Sequence, residues 1–254
     1  MRLEDNIRKA RQGKDILLMT HLVLGYPSFA ANREVIRGMV AAGVDLIELQ
    51  IPFSEPMADG PVILKANQRA LASGTRVADC FAFAEEMVRE HPIPFLFMTY
   101  YNILYKHGVA GFIEKAAAIG IQGLIVPDLP PEEGGEFLRL ARERDIAPIL
   151  IFAPTSTDER MRLLGGAASG FVYCVARRGV TGASTAMDTG VTDYLRRCRQ
   201  ATSLPLAVGF GISSREDVDF LKGKADIAVI GTRTIRLIEE EGTAAVTPFI
   251  AGLR

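Results

Sequence analysis

The chain has 254 residues, which fits one large α/β domain or two small ones. Its 48% hydrophobic content, 23% charged content and formal net charge of −1 are ordinary for a globular protein, and they exclude the strongly charged surface typical of nucleic-acid or acidic-membrane partners. The charged N-terminal residues are not expected to act as a signal peptide, no apolar run reaches membrane-spanning length, and the three scattered cysteines suit a reducing compartment. We therefore expect a cytoplasmic protein with neither nucleic-acid nor membrane partners.

Eight short apolar runs recur at regular intervals along the chain. Most are apolar at nearly every position, which is typical of parallel strands covered on both faces. The predicted strands are 16–24, 44–49, 94–100, 123–126, 147–153, 171–176, 205–210 and 227–231.

The stretches between these runs have apolar residues at helical spacing and charges on the opposite face. The predicted helices are 33–42, 78–90, 111–119, 132–144, 159–164, 191–198, 215–221 and 234–238. We predict two further helices, one over residues 1–13 that closes the barrel floor and one in the insert 61–73 after strand 2. Gly43, Gly120 and Gly165 are predicted to end the helices that precede them.

Strands that alternate with helices eight times in a chain of this length indicate an α/β fold, a single (β/α)8 TIM barrel with an extra N-terminal helix and a helical insert after strand 2. The alternative is an open, doubly wound sheet, which the strand count and the lack of a G-x-G-x-x-G sequence after strand 1 disfavour. Neither a linker nor a low-complexity segment interrupts the pattern, so we expect residues 1–254 to form one domain.

Two carboxylates near the end of strand 2 are the leading catalytic candidates. Glu48 lies within the apolar strand, and Asp59 lies in the proline-rich loop that follows it. A buried carboxylate is costly unless it is paired or functional, and two carboxylates in different surroundings can hold the different pKa values that acid–base chemistry needs. The alternative is a structural glutamate and a turn-capping aspartate. In a TIM barrel both side chains would face the mouth where chemistry takes place.

Glycines after strands 7 and 8 indicate a phosphate site. Gly211 and Gly231 would let the backbone approach a ligand closely, and helices are predicted to begin near Ser213 and Thr232 with N-termini that favour an anion. A third glycine-bearing loop, 178–184, has the composition of a lid. The alternative is that all three are ordinary turns.

Other candidates are weaker. His21 in strand 1 is interpreted as a packed or substrate-lining residue rather than a base. The absence of lysine from every predicted barrel strand disfavours a Schiff-base aldolase, and neither an acidic cluster nor histidine spacing indicates a metal site.

The chain resembles the tryptophan synthase alpha subunit over nearly its whole length. The most specific element is Pro52-Phe53-Ser54 followed by Asp59-Gly60-Pro61. The other matching segments, in the same order as in the family, are 24–27, 98–102, 126–130, 178–182 and 209–212.

The resemblance implies a lyase that cleaves indole-3-glycerol phosphate to indole and glyceraldehyde 3-phosphate in the last steps of L-tryptophan biosynthesis. Glu48 matches the acid–base residue that protonates the indole ring, and Asp59 matches the carboxylate that binds the ring nitrogen. By the same resemblance, Ile63, Tyr100, Tyr173 and Phe210 line the indole pocket, Gly182, Gly211, Gly231 and Thr232 hold phosphate, and Thr181 closes the lid over Asp59.

The resemblance also implies a partner, a tryptophan synthase beta subunit in an alpha2beta2 heterotetramer. Pyridoxal phosphate is expected in that partner, with no cofactor in this chain. Glu55, Gln50 and Arg233 depart from the residues that the family usually has, and Glu55 lies where the family contacts the beta subunit. Alternatives are a stand-alone indole-releasing lyase, a mainly regulatory subunit, and a phosphate-binding barrel of another pathway.

Overall fold

Eight parallel strands pair in sequence order, and the last pairs with the first, so that the sheet closes into a barrel. The computed structural model in which this barrel is seen describes residues 2–175, 189–209 and 211–254. The strands are β1 (Leu17–Val23), β2 (Leu46–Gln50), β3 (Phe95–Met98), β4 (Gly123–Ile125), β5 (Ala147–Phe152), β6 (Val172–Val175), β7 (Leu206–Gly209) and β8 (Ile227–Ile230). The predicted TIM barrel is confirmed, with each strand at its predicted place.

Helices surround the barrel and fill the connections between strands. They are α1 (Arg2–Arg11), α2 (Phe29–Ala41), α3 (Pro61–Ala72), α4 (Val77–Glu90), α5 (Tyr101–His107), α6 (Val109–Ala118), α7 (Gly135–Glu143), α8 (Asp158–Ala167), α9 (Thr189–Ala201), α10 (Arg215–Leu221), α11 (Thr232–Glu241) and α12 (Val246–Gly252), with a 3-10 turn at Thr243–Ala245. Both predicted extra helices are present as α1 and α3. Two helices of seven residues each, α5 and α12, were not predicted from the sequence.

The prediction that a glycine ends the preceding helix is wrong at one of three positions. Gly43 and Gly120 follow α2 and α6 with φ of 88°, the left-handed conformation that favours glycine. Gly165 instead lies inside α8. A Cβ atom there would come within 3.0 Å of the Thr202 side chain, so glycine at this position permits close packing next to the end of α9.

The barrel interior is apolar at its floor and polar at its mouth. Leu3 and Ile7 of α1 pack against the inward-facing Leu17 and Met19, and this contact closes the end at which the strands begin. Along β2, alternate side chains point inward, so Leu46 belongs to this interior cluster and the next inward positions are Glu48 and Gln50. Polar side chains of the strands therefore gather at the ends where the strands finish.

A second apolar layer lies between the outer face of the sheet and the helices, and it contains most of the buried side chains. Within the described ranges, none of the helices combines the length and apolar character needed to cross a membrane.

Candidate active site

Glu48 occupies an inward-facing position of β2 and is nearly sealed from solvent. Its side chain is 4% exposed, and its register partner across the sheet is His21 of β1. Among the described residues no group hydrogen-bonds its Oε2 atom, which is buried. A carboxyl group in such surroundings strongly favours its neutral form, because water cannot stabilise the charge.

Asp59 reaches the same mouth from the loop between β2 and α3, where its side chain is half-buried. Two side chains hold this loop in place. The backbone N–H of Ala58 donates to the Tyr100 hydroxyl at 3.1 Å, and the N–H of Phe53 donates to the side-chain oxygen of Asn67 at 2.9 Å. The Phe53 and Tyr100 rings also stack at 5.2 Å. The position of Asp59 is thus fixed by Tyr100, which follows β3, and by Asn67 of α3, as well as by its own loop.

Gln50 contacts Asp59 directly, a contact that the sequence analysis did not predict. Its amide nitrogen lies 2.6 Å from Asp59 Oδ2, and its carbonyl oxygen lies 2.8 Å from His21 Nε2. The sequence does carry one signal for this role, since Gln50 follows Glu48 by two residues in a strand and must face the same side.

The two carboxyl groups hold their protons to different extents. Burial, reinforced by the charge of Asp59, raises the pKa of Glu48 to about 8. Burial also raises the pKa of Asp59 to about 6, but hydrogen bonds with Gln50 and Tyr100 oppose the shift. Near neutral pH the mouth therefore holds Glu48 mainly as a neutral acid and Asp59 mainly as an anion. This is the arrangement that proton donation next to cation stabilisation requires.

Two aromatic residues predicted to line the site lie near these carboxyl groups. The pKa of the Tyr173 hydroxyl is raised well above its usual range by burial and by the charges of Glu48 and Asp59. The pKa of Tyr100 is raised by burial and by Asp59. Ile63 is 7% exposed and packs with Val23 and Ile235 in a small cluster between α3, β1 and α11.

The two helix N-termini predicted to hold phosphate differ in their capping. At α10, the Asp217 carboxylate accepts the backbone N–H groups of Ser213 at 2.8 Å and Ser214 at 3.0 Å, so a negative charge already occupies that position. At α11, which begins at Thr232 as predicted, no side chain of the described residues caps the helix. An anion is therefore favoured at the start of α11.

The glycines before these helices are placed close to the mouth. Gly211 has φ of 76°, a backbone conformation that residues other than glycine rarely adopt. Gly231 follows β8, and a Cβ atom on it would lie 3.6 Å from His21 Cβ. The predicted site residues Thr181, Gly182 and Phe210, and the predicted lid 178–184, lie outside the described residues.

A depression of about 320 Å³ lies at the opposite end of the barrel. Its cationic side chains are already paired, Arg8 with Glu4, and Arg11 and Arg199 with Asp226. The lining residues are Ile7, Arg8, Arg11, Gln12, Arg199, Ser203, Pro205 and Asp226. The candidate active site is therefore the mouth that holds the two carboxyl groups, since chemistry in this fold takes place at the ends of the strands.

Comparisons with known proteins agree with the fold and with the sequence resemblance. A family model described as tryptophan synthase alpha chain matches residues 7–249. The tryptophan synthase alpha chain of Desulfotalea psychrophila is 65% identical over 254 residues and covers 100% of both chains. That of Desulforapulum autotrophicum is 57% identical over 251 residues, or 99% of each chain.

Solved structures give the same result. A structure of tryptophan synthase from Mycobacterium tuberculosis superposes with a TM-score of 0.93 at 32% identity, covering 99% of this chain and 96% of that one. A tryptophan synthase complex from Pyrococcus furiosus gives a TM-score of 0.86 at 33% identity, covering 93% and 97%. The chain belongs to the tryptophan synthase alpha chain family.

Proposed function

We propose that Glu48 and Asp59 are the acid–base pair with which this chain cleaves indole-3-glycerol phosphate to indole and glyceraldehyde 3-phosphate. Membership of the family makes the chain a lyase of tryptophan biosynthesis, and the proposal concerns the groups that perform the reaction. One observation carries it: the two carboxyl groups share one mouth but not one environment. Glu48 is buried with an oxygen that has no partner among the described residues, whereas Asp59 is half-buried and hydrogen-bonded to Gln50. These surroundings raise the pKa of Glu48 to about 8 and that of Asp59 to about 6, so the groups differ in charge near neutral pH.

The difference in charge assigns a role to each carboxyl group. Neutral Glu48 donates its proton to carbon 3 of the indole ring, and the cation that forms is stabilised at the ring nitrogen by anionic Asp59. The Glu48 carboxylate then accepts the proton of the hydroxyl on the adjacent side-chain carbon. The bond between that carbon and the ring breaks, its electrons return to the ring, and the hydroxyl becomes the aldehyde. Glu48 is again protonated at the end of the cycle.

The rest of the substrate is assigned to the residues around the pair. Tyr100, Tyr173, Ile63 and Phe210 are proposed to line the indole pocket, Gly182, Gly211, Gly231 and Thr232 to hold phosphate, and Thr181 to contact Asp59. The uncapped start of α11 supports the phosphate assignment for Gly231 and Thr232, since an anion there meets backbone N–H groups rather than a carboxylate.

A beta subunit is the proposed partner, in an alpha2beta2 assembly that works in the cytoplasm, with pyridoxal phosphate held by the partner and no cofactor in this chain. The loop around Glu55 is the proposed contact. Met57 in this loop is 76% exposed, which leaves an apolar side chain for a partner to cover. A stand-alone lyase remains the second candidate, and the departure of Glu55 from the usual family residue favours testing it.

The first prediction concerns the catalytic pair. Glu48→Gln and Asp59→Asn should each lower the rate of indole formation at least about a hundredfold, the usual scale for loss of a general acid or of a charge that stabilises the transition state. Glu143→Gln, on the exposed side of α7, makes the same chemical change away from the mouth and should leave the rate unchanged. Steady-state release of indole measures all three. If either active-site variant keeps more than about a tenth of the wild-type rate, its assigned role is wrong.

The second prediction concerns stability against pH. Folding raises the pKa of Glu48 from 4.5 to about 8, so the folded chain binds more protons between these values and the free energy of unfolding falls as pH rises. The loss amounts to something on the order of 4 kcal/mol at pH 8. Glu48→Gln cannot ionise and should not lose this stability. Its advantage over the wild type in urea unfolding should therefore grow from about pH 5 to pH 8; equal pH dependence of the two proteins would refute the assigned shift.

The third prediction concerns phosphate. Gly231→Asp should raise the KM for indole-3-glycerol phosphate by more than about tenfold, because a carboxylate would face the phosphate at the start of α11. Gly231→Ala controls for size and should change KM much less, since a Cβ atom finds ordinary contact distances there. Binding of an indole analogue without phosphate should be nearly unaffected. If Gly231→Asp weakens both ligands equally, the residue does not face the phosphate.

The fourth prediction separates the two candidate assemblies. The isolated chain should form indole slowly, and an added beta subunit should raise kcat by more than about tenfold if the family partnership holds. Met57→Asp should weaken this activation without changing the basal rate, because a charge would replace the exposed apolar side chain. A fully active isolated chain that a beta subunit does not affect would support the stand-alone lyase.

A further inference from the structure

Three polar side chains form a line from β1 to the loop after β2. The amide of Gln50 stands in the middle, 2.6 Å from Asp59 Oδ2 on one side and 2.8 Å from His21 Nε2 on the other. Gln50 has no exposed surface and His21 is 5% exposed, so bulk water does not compete for these contacts. The line is therefore part of the interior of the site.

The charge on Asp59 fixes the direction of both hydrogen bonds. An ionised carboxylate can only accept, so the NH2 group of Gln50 must face Asp59 and its carbonyl oxygen must face His21. That oxygen needs a donor, which places the ring proton of His21 on Nε2. Burial lowers the pKa of His21 to about 4, so the ring is neutral near pH 7 and keeps a lone pair on Nδ1.

The cost of burying these groups argues against a purely structural role. A buried pair of hydrogen-bonded polar side chains gives a fold little advantage over apolar side chains of the same shape, and a buried polar atom without a partner is costly. The preceding inward residues of β1, Leu17 and Met19, are apolar. Within the described residues His21 Nδ1 has no hydrogen-bond partner, and the one polar contact of the ring is the bond to Gln50. The ring is therefore placed to orient the amide.

We propose that Gln50, oriented by His21, is a positioning residue for the cleavage, which holds Asp59 in place as an anion against the ring nitrogen of the substrate. The inference rests on the proposed function, because it assumes that Asp59 is the carboxylate that stabilises the ring cation. Gln50 touches neither the proton that moves nor the bond that breaks, and it acts through Asp59 alone.

Three other titratable groups face Asp59 from the described elements. They are Glu48 of β2, Tyr100 after β3 and Tyr173 of β6, and the pKa of each is raised, so all three are mainly neutral near pH 7. Hydrogen bonds with Gln50 and Tyr100 are the interactions that lower the pKa of Asp59. Removal of the Gln50 amide should therefore leave Asp59 easier to protonate.

Gln50→Met tests the proposal, because methionine keeps the length of the side chain and removes its donor. We expect kcat to fall about ten- to a hundredfold, the scale of one hydrogen bond to a charged group, while KM changes less than about threefold. The acid limb of kcat/KM against pH, which reports groups of the free enzyme, should move upward from its wild-type position near pH 6, since Asp59 would then bind its proton more tightly. A folded variant with an unmoved acid limb would overturn the proposal, whatever its rate.

Substitutions of His21 test the orienting step. His21→Phe should shift the acid limb in the same direction as Gln50→Met but less far, and His21→Gln, whose amide can donate to Gln50, should recover part of the lost kcat. The double variant His21→Phe/Gln50→Met should be no slower than Gln50→Met alone, because His21 acts only through Gln50. Additive losses, or no recovery in His21→Gln, would show that the ring does not orient the amide.

Three controls separate a loss of positioning from misfolding and from failure of the proposed function. Thr20→Val is the matched control, because it removes a buried hydroxyl next to His21 in β1 that has no hydrogen-bond partner among the described residues. It should leave kcat and the acid limb unchanged. Thermal unfolding of every variant reports on folding. If Asp59→Asn retains activity, the proposed function has failed; if Asp59→Asn is inactive and Gln50→Met matches the wild type, only the positioning role has failed.

Discussion

The burial of one carboxyl group inside the barrel is the constraint on which the site depends. Glu48 faces inward from β2, directly above an apolar interior that α1 closes from below. A carboxylate there would lose its hydration without gaining a cationic partner among the described residues, so the group stays protonated up to about pH 8. The same apolar interior that stabilises the fold therefore turns an ordinary carboxyl group into an acid that can donate a proton near neutral pH.

A second carboxyl group can be an anion at this mouth only because its surroundings differ. Asp59 lies on a loop, is half-buried, and has hydrogen bonds with Gln50 and Tyr100. The proximity of the two carboxyl groups also favours opposite protonation states, since a charge on Asp59 disfavours a charge on Glu48. Glu48 is thus a buried acid because it lies within β2, and Asp59 is a hydrogen-bonded anion because the loop after β2 folds back over the mouth.

More of the fold than of the candidate site could be predicted from the sequence. Apolar runs and glycines at strand ends report burial and turns, which local sequence determines, so the eight strands and the location of Glu48 and Asp59 at the barrel mouth could be predicted. The capping of α10 was also readable, since Ser214 and Asp217 have the spacing of a capping box. The contact between Gln50 and Asp59 was not, because the loop conformation that makes it depends on Tyr100 and Asn67, which lie far along the chain or on another element.

Asp45 and Glu48, three residues apart, show how the hydrogen-bond and ion-pair partners of a buried carboxyl group determine what it can do. Asp45, just before β2, is 9% exposed. Its carboxylate pairs with the Lys14 ammonium and with the Arg254 guanidinium, at 2.7 Å from Nη2, and accepts the backbone N–H of Leu18 at 2.9 Å. It therefore links residues near both ends of the chain to the barrel floor. Glu48 is 4% exposed and has a buried oxygen without a partner among the described residues. Burial alone therefore does not distinguish a structural carboxylate from a reactive one. The partners do, because the hydrogen bonds and ion pairs of Asp45 are used to hold segments together, whereas Glu48 has a carboxyl oxygen left without a partner among the described residues and favours its neutral form.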